Sequence, residues 1–135
     1  MNKKQKILIV DDSSEWLRHH ISLIRRLFGE DFFEINTATS GKQGFNKVLQ
    51  EKDYNLVITD LEMEKIFDES YAGVWLVKNL LNREETENTK FLIISGAYNV
   101  WNMANSLKVD HIEKSSLLDN PLILKYKIEE LLKLA

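Results

Sequence analysis

The chain has 135 residues, the length of one domain, and such a domain buries about two thirds of the surface that its unfolded chain exposes. Its 18 Lys and Arg against 21 Asp and Glu give a net charge of −3, and no basic run is interleaved with aromatic residues, so direct binding of nucleic acid is not expected. The absence of cysteine excludes disulfides, thiolate zinc sites and cysteine nucleophiles. The lysine-rich start precedes only four apolar residues, which is too short for a signal peptide or a membrane span, and a cytoplasmic location is the expectation.

The first apolar run, residues 7–10, predicts a buried strand. The helix that follows is capped by Ser13 or Ser14 and ends at Gly29. Its apolar positions recur at helical spacing and form one stripe: Trp16, Leu17, Ile21, Ile24, Leu27 and Phe28. Two histidines of this helix are expected on or near its exposed side, namely His19 and His20.

The next strand and helix carry edge and capping signals. Residues 33–37 alternate between apolar and polar, which is typical of a strand at the edge of a sheet. Ser40 and Gln43 match a capping box at the start of a second helix. Residues 56–59 predict a third strand that is buried on both faces, and apolar residues between 74 and 81 indicate a helix after it.

The remaining chain adds two strands and two helices. Residues 91–94 predict a buried fourth strand, and the weak run Val109 to Ile112 predicts a short edge strand. A helix with apolar residues between 100 and 107 lies between them. The last helix starts at Pro121, with Asn120 as its cap. Five strands and five helices in strict alternation predict an α/β fold, a three-layer αβα sandwich with the first, third and fourth strands in the middle.

Polar residues of one chemical set follow four of the predicted strands. Asp11 and Asp12 follow the first strand, Asp60 the third, Ser95 the fourth, and Lys114 stands two residues beyond the fifth. The carboxyl ends of parallel strands share one edge of a sheet, and ligands bind in the crevice there. Carboxylates about 5 Å apart repel by roughly 3 kcal/mol per pair at an effective dielectric constant of about 20. A divalent cation would remove that repulsion, and carboxylates with water suit magnesium, so the set predicts a site for Mg²⁺ and a phosphoryl group.

These strand ends resemble the sequence blocks of receiver domains from bacterial two-component response regulators. Four blocks carry the resemblance in the right order: KILIVDDS (6–13), NLVITDLEM (55–63), FLIISGA (91–97) and IEK (112–114). The resemblance covers nearly all of the chain. It implies a flavodoxin-like fold of the receiver type, with a five-stranded parallel sheet of order 2-1-3-4-5.

The resemblance also implies roles for the residues at the strand ends. Asp60 would be the phosphoacceptor, which a histidine kinase or a histidine phosphotransfer protein phosphorylates in a Mg²⁺-dependent reaction. Asp12 and Asp60 would bind the metal directly, Asp11 largely through water, and the backbone carbonyl of Glu62 would complete the protein ligands. Lys114 would place its ammonium group against the phosphoryl oxygens.

A conformational switch follows from the same resemblance. The Ser95 hydroxyl would bond a phosphoryl oxygen, and the residue at the aromatic switch position, here His111, would turn inward behind it. The change would reach the face of the fourth helix, fifth strand and last helix, which would bind a downstream protein target or a second copy of the chain. That face includes three residues: Trp101, Asn102 and Tyr126. Residues 1–135 are expected to form a single receiver domain without an output domain.

The sequence departs from the family pattern after the lysine and at the switch position. Ser115 follows Lys114, where the family has proline after a cis peptide bond. A cis bond to a non-proline residue costs about 2.5–4 kcal/mol, so a trans bond or a rearranged turn is expected. His111 replaces tyrosine or phenylalanine, and a protonated ring would resist burial beside Lys114. The coupling of Asp60 to the target-binding face is therefore predicted to depend on pH near neutrality.

The loop after the third strand is a further departure, and it looks about five residues longer than in the family. Glu64 stands where the family has proline, and the nearest glycine is Gly73. The loop is acidic, with four carboxylates: Glu62, Glu64, Asp68 and Glu69. Glu62 lies two residues past Asp60, where the family controls the access of water to the acyl phosphate. It is predicted to change the lifetime of the phosphorylated state.

Two other functions compete with this interpretation. A phosphatase of the haloacid dehalogenase type also combines an aspartate nucleophile, magnesium, a hydroxyl and a lysine, but its nucleophile follows the first strand of the core. A receiver-like interaction module that is never phosphorylated usually lacks Asp60 or its acidic neighbours. Neither alternative is favoured. The receiver interpretation predicts no enzyme in the ordinary sense, only self-catalysed phosphotransfer to Asp60 and slow autodephosphorylation.

Overall fold

The computed structural model describes residues 3–63, 71–96 and 100–134. Its centre is a parallel sheet whose strand order is β2-β1-β3-β4-β5, as predicted. The five strands are β1 (Gln5–Val10), β2 (Phe33–Ala38), β3 (Leu56–Thr59), β4 (Lys90–Ser95) and β5 (Asp110–Glu113). The alternating run therefore lies at one edge and the short run at the other.

The described residues contain six α-helices, so the prediction of five was wrong. They are α1 (Ser14–Phe28), α2 (Gly41–Glu51), α3 (Ala72–Leu80), α4 (Val100–Leu107), α5 (Lys114–Asp119) and α6 (Leu122–Leu132), with a 3₁₀ turn at Glu84–Thr86. The unexpected helix is α5, which begins directly after β5 instead of a loop. Pro121 precedes α6, and the Asn120 side chain accepts a hydrogen bond from the backbone N–H of Leu122 at 3.3 Å, which fits its predicted capping role.

Helices cover both faces of the sheet, as the near-continuous apolar strands predicted. Alternate residues of each central strand point to opposite faces. One layer buries residues of α1, α5 and α6 against the sheet: Ile7, Ile9, Ile24, Ile58, Ile94, Leu117 and Ile128. The other layer buries residues of α2, α3 and α4: Leu8, Val10, Val48, Val57, Leu76, Ile93 and Ala104. Each fully buried aliphatic side chain contributes about 1.5–3 kcal/mol to folding relative to exposure.

The predicted helix caps are present with one change. The Ser13 hydroxyl accepts a hydrogen bond from the N–H of Trp16 at 3.2 Å, and Gly29 ends α1 with a φ of 116°. Ser40 accepts from the N–H of Gln43 at 3.1 Å. The Gln43 side chain, however, bonds the N–H of residue 39 rather than that of the cap.

His20 is buried, which corrects the expectation that the histidines of α1 are near its exposed side. Its side chain is 1% exposed, whereas His19 is half-buried. His20 lies one helical turn after Trp16, and residues four apart share a face of a helix. The face that carries Trp16 thus also carries His20 toward the sheet.

None of the described helices is long and apolar enough to cross a membrane.

Candidate functional site

Two aspartates lie side by side at the carboxyl edge of the sheet. Asp11 follows β1 and Asp60 follows β3, and these strands are neighbours in register. The N–H of Asp60 donates to the carbonyl of Val10 at 3.1 Å, and the N–H of Asp11 donates to the carbonyl of Ala38 at 3.1 Å. The sheet hydrogen bonds thus continue through both aspartates, which fixes their backbones. Their side chains are buried.

Lys114 connects the two carboxylates. Its Nζ atom lies 3.1 Å from Asp11 Oδ2 and 3.0 Å from Asp60 Oδ2. Lys114 is the first residue of α5 and directly follows β5, the edge strand that β3 and β4 separate from β1. Three segments that are distant in sequence therefore meet within one ion-pair network. The meeting of an ammonium and two carboxylates is what the strand-end pattern predicted.

The environment of Asp11 disfavours its ionised form. Burial raises the pKa of this carboxyl, although the N–H of Ser13 and the Lys114 ammonium act in the opposite direction. The N–H of Ser13 donates to Asp11 Oδ1 at 2.9 Å. Oδ2 faces the Lys114 ammonium at 3.1 Å, so each oxygen of this buried carboxylate lies against a positively polarised group.

The remaining predicted metal ligands lie at the mouth of the site. The N–H of Glu62 donates to Asp60 Oδ1 at 3.3 Å, which places the Glu62 backbone beside the phosphoacceptor candidate, and its side chain is exposed. Asp12 is exposed, one residue beyond Asp11. Within residues 3–63, 71–96 and 100–134, no group of three or more His, Asp or Glu side chains is arranged to hold a metal ion. The structure thus brings two of the three predicted carboxylates together.

The two predicted switch residues lie on β4 and β5. Ser95 is the last residue of β4 and is completely buried, and its register partner is Glu113. His111 lies opposite Ile93 in β5 and is half-buried. Ser95 therefore lies at the same edge as Asp60, while His111 lies two residues further back along its strand. Their roles in switching stay predictions.

The absence of proline after Lys114 led to the prediction of a trans peptide bond or a rearranged turn, and the Lys114–Ser115 bond is trans. The described residues contain no cis peptide bond, and the chain turns directly into α5 at Lys114. The long connection between β3 and α3 spans residues 60–71. Three of the four acidic residues that follow Asp60 in it lie outside the described residues: Glu64, Asp68 and Glu69.

Two residues of the site were not recognised as such in the sequence. The Lys114 ammonium lies 4.7 Å from the centre of the Trp16 ring, and Trp16 was assigned only to the apolar stripe of α1. Gly73 packs against the backbone of the phosphoacceptor candidate, since a Cβ atom there would lie 1.9 Å from the carbonyl oxygen of Asp60. The position of Trp16, in the first turn after the two aspartates, was the available signal. For Gly73 the available signal was its late position in the loop between β3 and α3.

Comparison with known proteins agrees with this arrangement. A model of the response regulator receiver domain matches residues 7–116, and the chain therefore belongs to the family of response regulator receiver domains, which serve two-component signalling. A comparison with curated protein sequences finds no match.

Several solved structures share the fold. The chemotaxis protein CheY4 of Vibrio cholerae, crystallised at pH 4.0, has a TM-score of 0.71 at 18% identity, covering 96% of this chain and 99% of that chain. A chain in the complex of the CheA3 P1 domain with CheY6 from R. sphaeroides has a TM-score of 0.70 at 18% identity, covering 98% and 99%. A putative two-component response regulator with a GGDEF domain reaches 0.77 at 18% identity, covering 96% of this chain and 49% of that chain. At this identity the likeness concerns the fold.

Proposed function

We propose that this receiver domain accepts a phosphoryl group on Asp60. The observation that carries the proposal is the Lys114 ammonium within 3.1 Å of both Asp11 and Asp60 at the carboxyl edge of the sheet. An ammonium placed there neutralises negative charge where a phosphoryl group would arrive. Fixed charge of this kind is the main protein contribution to phosphoryl transfer.

The transfer has a simple balance of bonds. A carboxylate oxygen of Asp60 forms a bond to phosphorus while the bond from phosphorus to the donor breaks. When the donor is a phosphohistidine, the electron pair of the broken P–N bond stays on the leaving imidazole nitrogen, which takes up a proton from water. The N–H of Glu62 donates to Asp60 Oδ1 at 3.3 Å, and the Lys114 ammonium donates to Asp60 Oδ2 at 3.0 Å. These two bonds orient the carboxylate for attack on phosphorus in line with the leaving group.

Mg²⁺ fits the donor set by its chemistry. The ligands we propose are Asp11, largely through water, Asp12, Asp60 and the backbone carbonyl of Glu62. The buried carboxylates of Asp11 and Asp60 share one ammonium, so a negative charge is left that a hard divalent cation would compensate, and such cations prefer carboxylate and carbonyl oxygens. When bound, Mg²⁺ would neutralise the transferring phosphoryl oxygens.

The donor that we propose is a histidine kinase or a histidine phosphotransfer protein, in the cytoplasm. One of the similar structures contains the P1 domain of CheA3 together with CheY6. By analogy, a donor domain would dock beside this site and present its phosphohistidine to Asp60. The reaction is a single self-catalysed modification followed by slow hydrolysis, which distinguishes it from turnover of a phosphate ester.

The output that we propose runs through Ser95 and His111 to the face of α4, β5 and α6. Trp101 of α4 and Tyr126 of α6 are 60% and 59% exposed, as a contact surface for a protein target or a second copy requires. Phosphorylation should therefore shift the NMR signals of residues on this face. A face whose signals stay unshifted in the phosphorylated chain would contradict this route.

Intact mass measurement after incubation with acetyl phosphate and Mg²⁺ tests the acceptor. The native chain should gain the mass of one phosphoryl group, and Asp60→Asn should gain none. Asp53→Asn is the matched control, because Asp53 also pairs with a lysine but at the opposite end of the sheet. It should behave as the native chain does. A native chain that gains no mass would instead favour an interaction module that is never phosphorylated.

A further inference from the structure

We propose that Trp16 is a positioning residue, which holds the Lys114 ammonium group between Asp11 and Asp60 for phosphoryl transfer. This inference rests on the function proposed above. Helix α1 would then have a second part in the reaction, in addition to supporting the two aspartates that precede it. The contacts around Lys114 form one closed set that supports this role.

Three groups of the described residues lie close to the ammonium group. Two are the carboxylate oxygens at 3.1 and 3.0 Å, and the third is the face of the Trp16 ring, whose centre lies 4.7 Å from Nζ. A cation within about 6 Å of an indole centre is attracted by the electrons of the ring face, and tryptophan is the strongest of the aromatic residues in this interaction. Lys114 is largely buried, with 13% of its side chain exposed, so water weakens the attraction little.

The start of α1 ties the backbone of Trp16 to the same aspartate that binds the ammonium. The N–H of Ser13 donates to Asp11 Oδ1 at 2.9 Å, and the Ser13 hydroxyl accepts from the backbone N–H of Trp16 at 3.2 Å. The contacts therefore form a closed circuit from Asp11 through Ser13 and Trp16 to Lys114 and back to Asp11. The cap fixes the point from which the Trp16 side chain extends over the ammonium.

Two histidines of α1 support the ring from within the helix. The ring centres of His19 and His20 lie 5.0 and 5.4 Å from that of Trp16. Burial lowers the pKa of His20 to about 3, and it also lowers the pKa of His19. Both rings are therefore neutral near pH 7. They brace the indole without adding a positive charge that would repel Lys114.

Lys114 needs such a restraint because its side chain is long and its backbone provides little. Four rotatable bonds separate the ammonium from the chain, and ordering them opposes binding. Residue Glu113, at the cap position of α5, makes no side-chain capping bond. A ring face also differs from a hydrogen-bond acceptor, since it attracts a cation over an area. The ammonium can therefore move from Asp11 toward arriving phosphoryl oxygens while staying over the indole.

Two substitutions of Trp16 distinguish the attraction between its ring face and the ammonium from the effect of its side-chain volume. Trp16→Leu keeps an apolar side chain without a ring face, and Trp16→Phe keeps a weaker ring face. With acetyl phosphate and Mg²⁺, Trp16→Leu should lower the maximum rate of phosphorylation about three- to tenfold, and Trp16→Phe by less. The half-saturating concentration of acetyl phosphate should change little, because the ring acts on the transfer step. Trp75→Leu is the control, since Trp75 packs against Phe45 on α2, and its rate should be native.

A double substitution shows whether Trp16 acts through Lys114. In a Lys114→Met background, Trp16→Leu should cause no further loss of rate, since the cation is already absent. A second readout needs no phosphoryl donor. The chain has three tryptophans, so its NMR spectrum holds three indole N–H signals, and Lys114→Met should shift that of Trp16 but not that of Trp75.

The outcomes distinguish this inference from the function beneath it. A native chain that gains no phosphoryl group overturns the proposed function. A native chain that is phosphorylated, together with a native rate in Trp16→Leu, overturns the positioning role alone. An unshifted Trp16 indole signal in Lys114→Met also overturns it, because it shows that the ring and the ammonium are not in contact. Equal losses of rate in Trp16→Leu with and without Lys114 do the same.

Discussion

Two lysines lie between carboxylates at opposite ends of the sheet, and their immediate surroundings are nearly the same. Near the start of β1, Lys6 Nζ lies 2.7 Å from Asp53 and 3.3 Å from Glu51, with the ring centre of Tyr54 at 4.6 Å. At the other end, Lys114 has two aspartates at 3.1 and 3.0 Å and a ring centre at 4.7 Å. Each ammonium thus has two close carboxylates and one aromatic face, and Lys6 has a third carboxylate, that of Glu34, at 4.0 Å.

The two lysine centres differ in the exposure of their carboxylates. The side chains of Asp53 and Glu51 are 43% and 37% exposed, whereas those of Asp11 and Asp60 are 2% and 7% exposed. Hydrogen bonds from Lys3 and Lys6 lower the pKa of Asp53 to about 2, whereas burial raises the pKa of Asp11. The Lys6 pKa is raised because bonds to Asp53 and Glu51 outweigh its burial.

The comparison shows that similar contacts can serve a structural or a functional end. Water and a second lysine satisfy the Lys6 centre, so it has little to gain from a ligand. The Lys114 centre holds two carboxylates away from water, and the two share a single ammonium. Buried charge that is only partly compensated is typical of sites that bind ions or react.

The largest expected difference between the two centres is in the rate of phosphorylation. Lys114→Met should lower the rate with acetyl phosphate and Mg²⁺ about 100-fold, the effect of removing one group that stabilises charge in a transition state. Lys6→Met removes the same ammonium at the other end of the sheet and should leave the rate unchanged. Equal rates for both variants would show that Lys114 has no special part in the reaction.

The same two variants should also differ in the free energy of unfolding, measured in urea without metal. Lys114→Met leaves two carboxylates buried without a counter-charge and should destabilise the fold by about 3 kcal/mol. After Lys6→Met, the carboxylates of Asp53 and Glu51 remain in contact with water, so the loss should be about 1 kcal/mol or less. A larger loss for Lys6→Met would reverse the interpretation of the two centres.

Glycine substitution tests how firmly the backbone holds the Lys114 centre. Gly73→Ala would place a methyl group 1.9 Å from the Asp60 carbonyl oxygen, so it should destabilise the fold by about 1–3 kcal/mol and slow phosphorylation. Gly96→Ala is the control, because its nearest atom would be Lys114 Cδ at 3.9 Å, an ordinary contact. Urea unfolding and intact mass measure both effects. A native Gly73→Ala would show that the Asp60 backbone has room to move.

The histidine beneath Trp16 should make stability depend on pH. Below about pH 6.5 the unfolded chain binds a proton on His20 that the folded chain does not accept until about pH 3. The free energy of unfolding should therefore decrease as the pH is lowered. His20 should contribute about 1.4 kcal/mol per pH unit to that decrease. Urea unfolding between about pH 6.5 and pH 5.5 should show a shallower decrease for His20→Leu than for the native chain. Parallel pH profiles would contradict this.

The smallest expected effect is that of Glu62 on the phosphorylated state. Its backbone N–H is tied to Asp60, but its exposed side chain is free to reach the mouth of the site. Glu62→Ala should change the rate of loss of the phosphoryl group by about twofold or more, since the carboxylate can position or exclude water. The decay of the added mass over time measures it. An unchanged decay would show that Glu62 serves the site only through its backbone.

The sequence predicted the strand order and the meeting of Asp11, Asp60 and Lys114, because both follow from apolar runs and their carboxyl ends. It did not predict α5, since Lys114 was placed in a loop before Pro121 and a helix of six residues leaves little periodic signal. It also missed the contact of Trp16 with Lys114 and the burial of His20. Those depend on the rotation of α1 about its axis, and a stripe of apolar residues defines that rotation only broadly.

The close approach of Gly73 has a practical consequence for engineering. The N–H of Gly73 donates to the carbonyl of Leu61 at 3.2 Å, so the two ends of the intervening stretch are joined at their base. Any redesign of this loop must therefore keep a glycine at position 73 together with its bond to Leu61, because both hold the backbone of Asp60 in place.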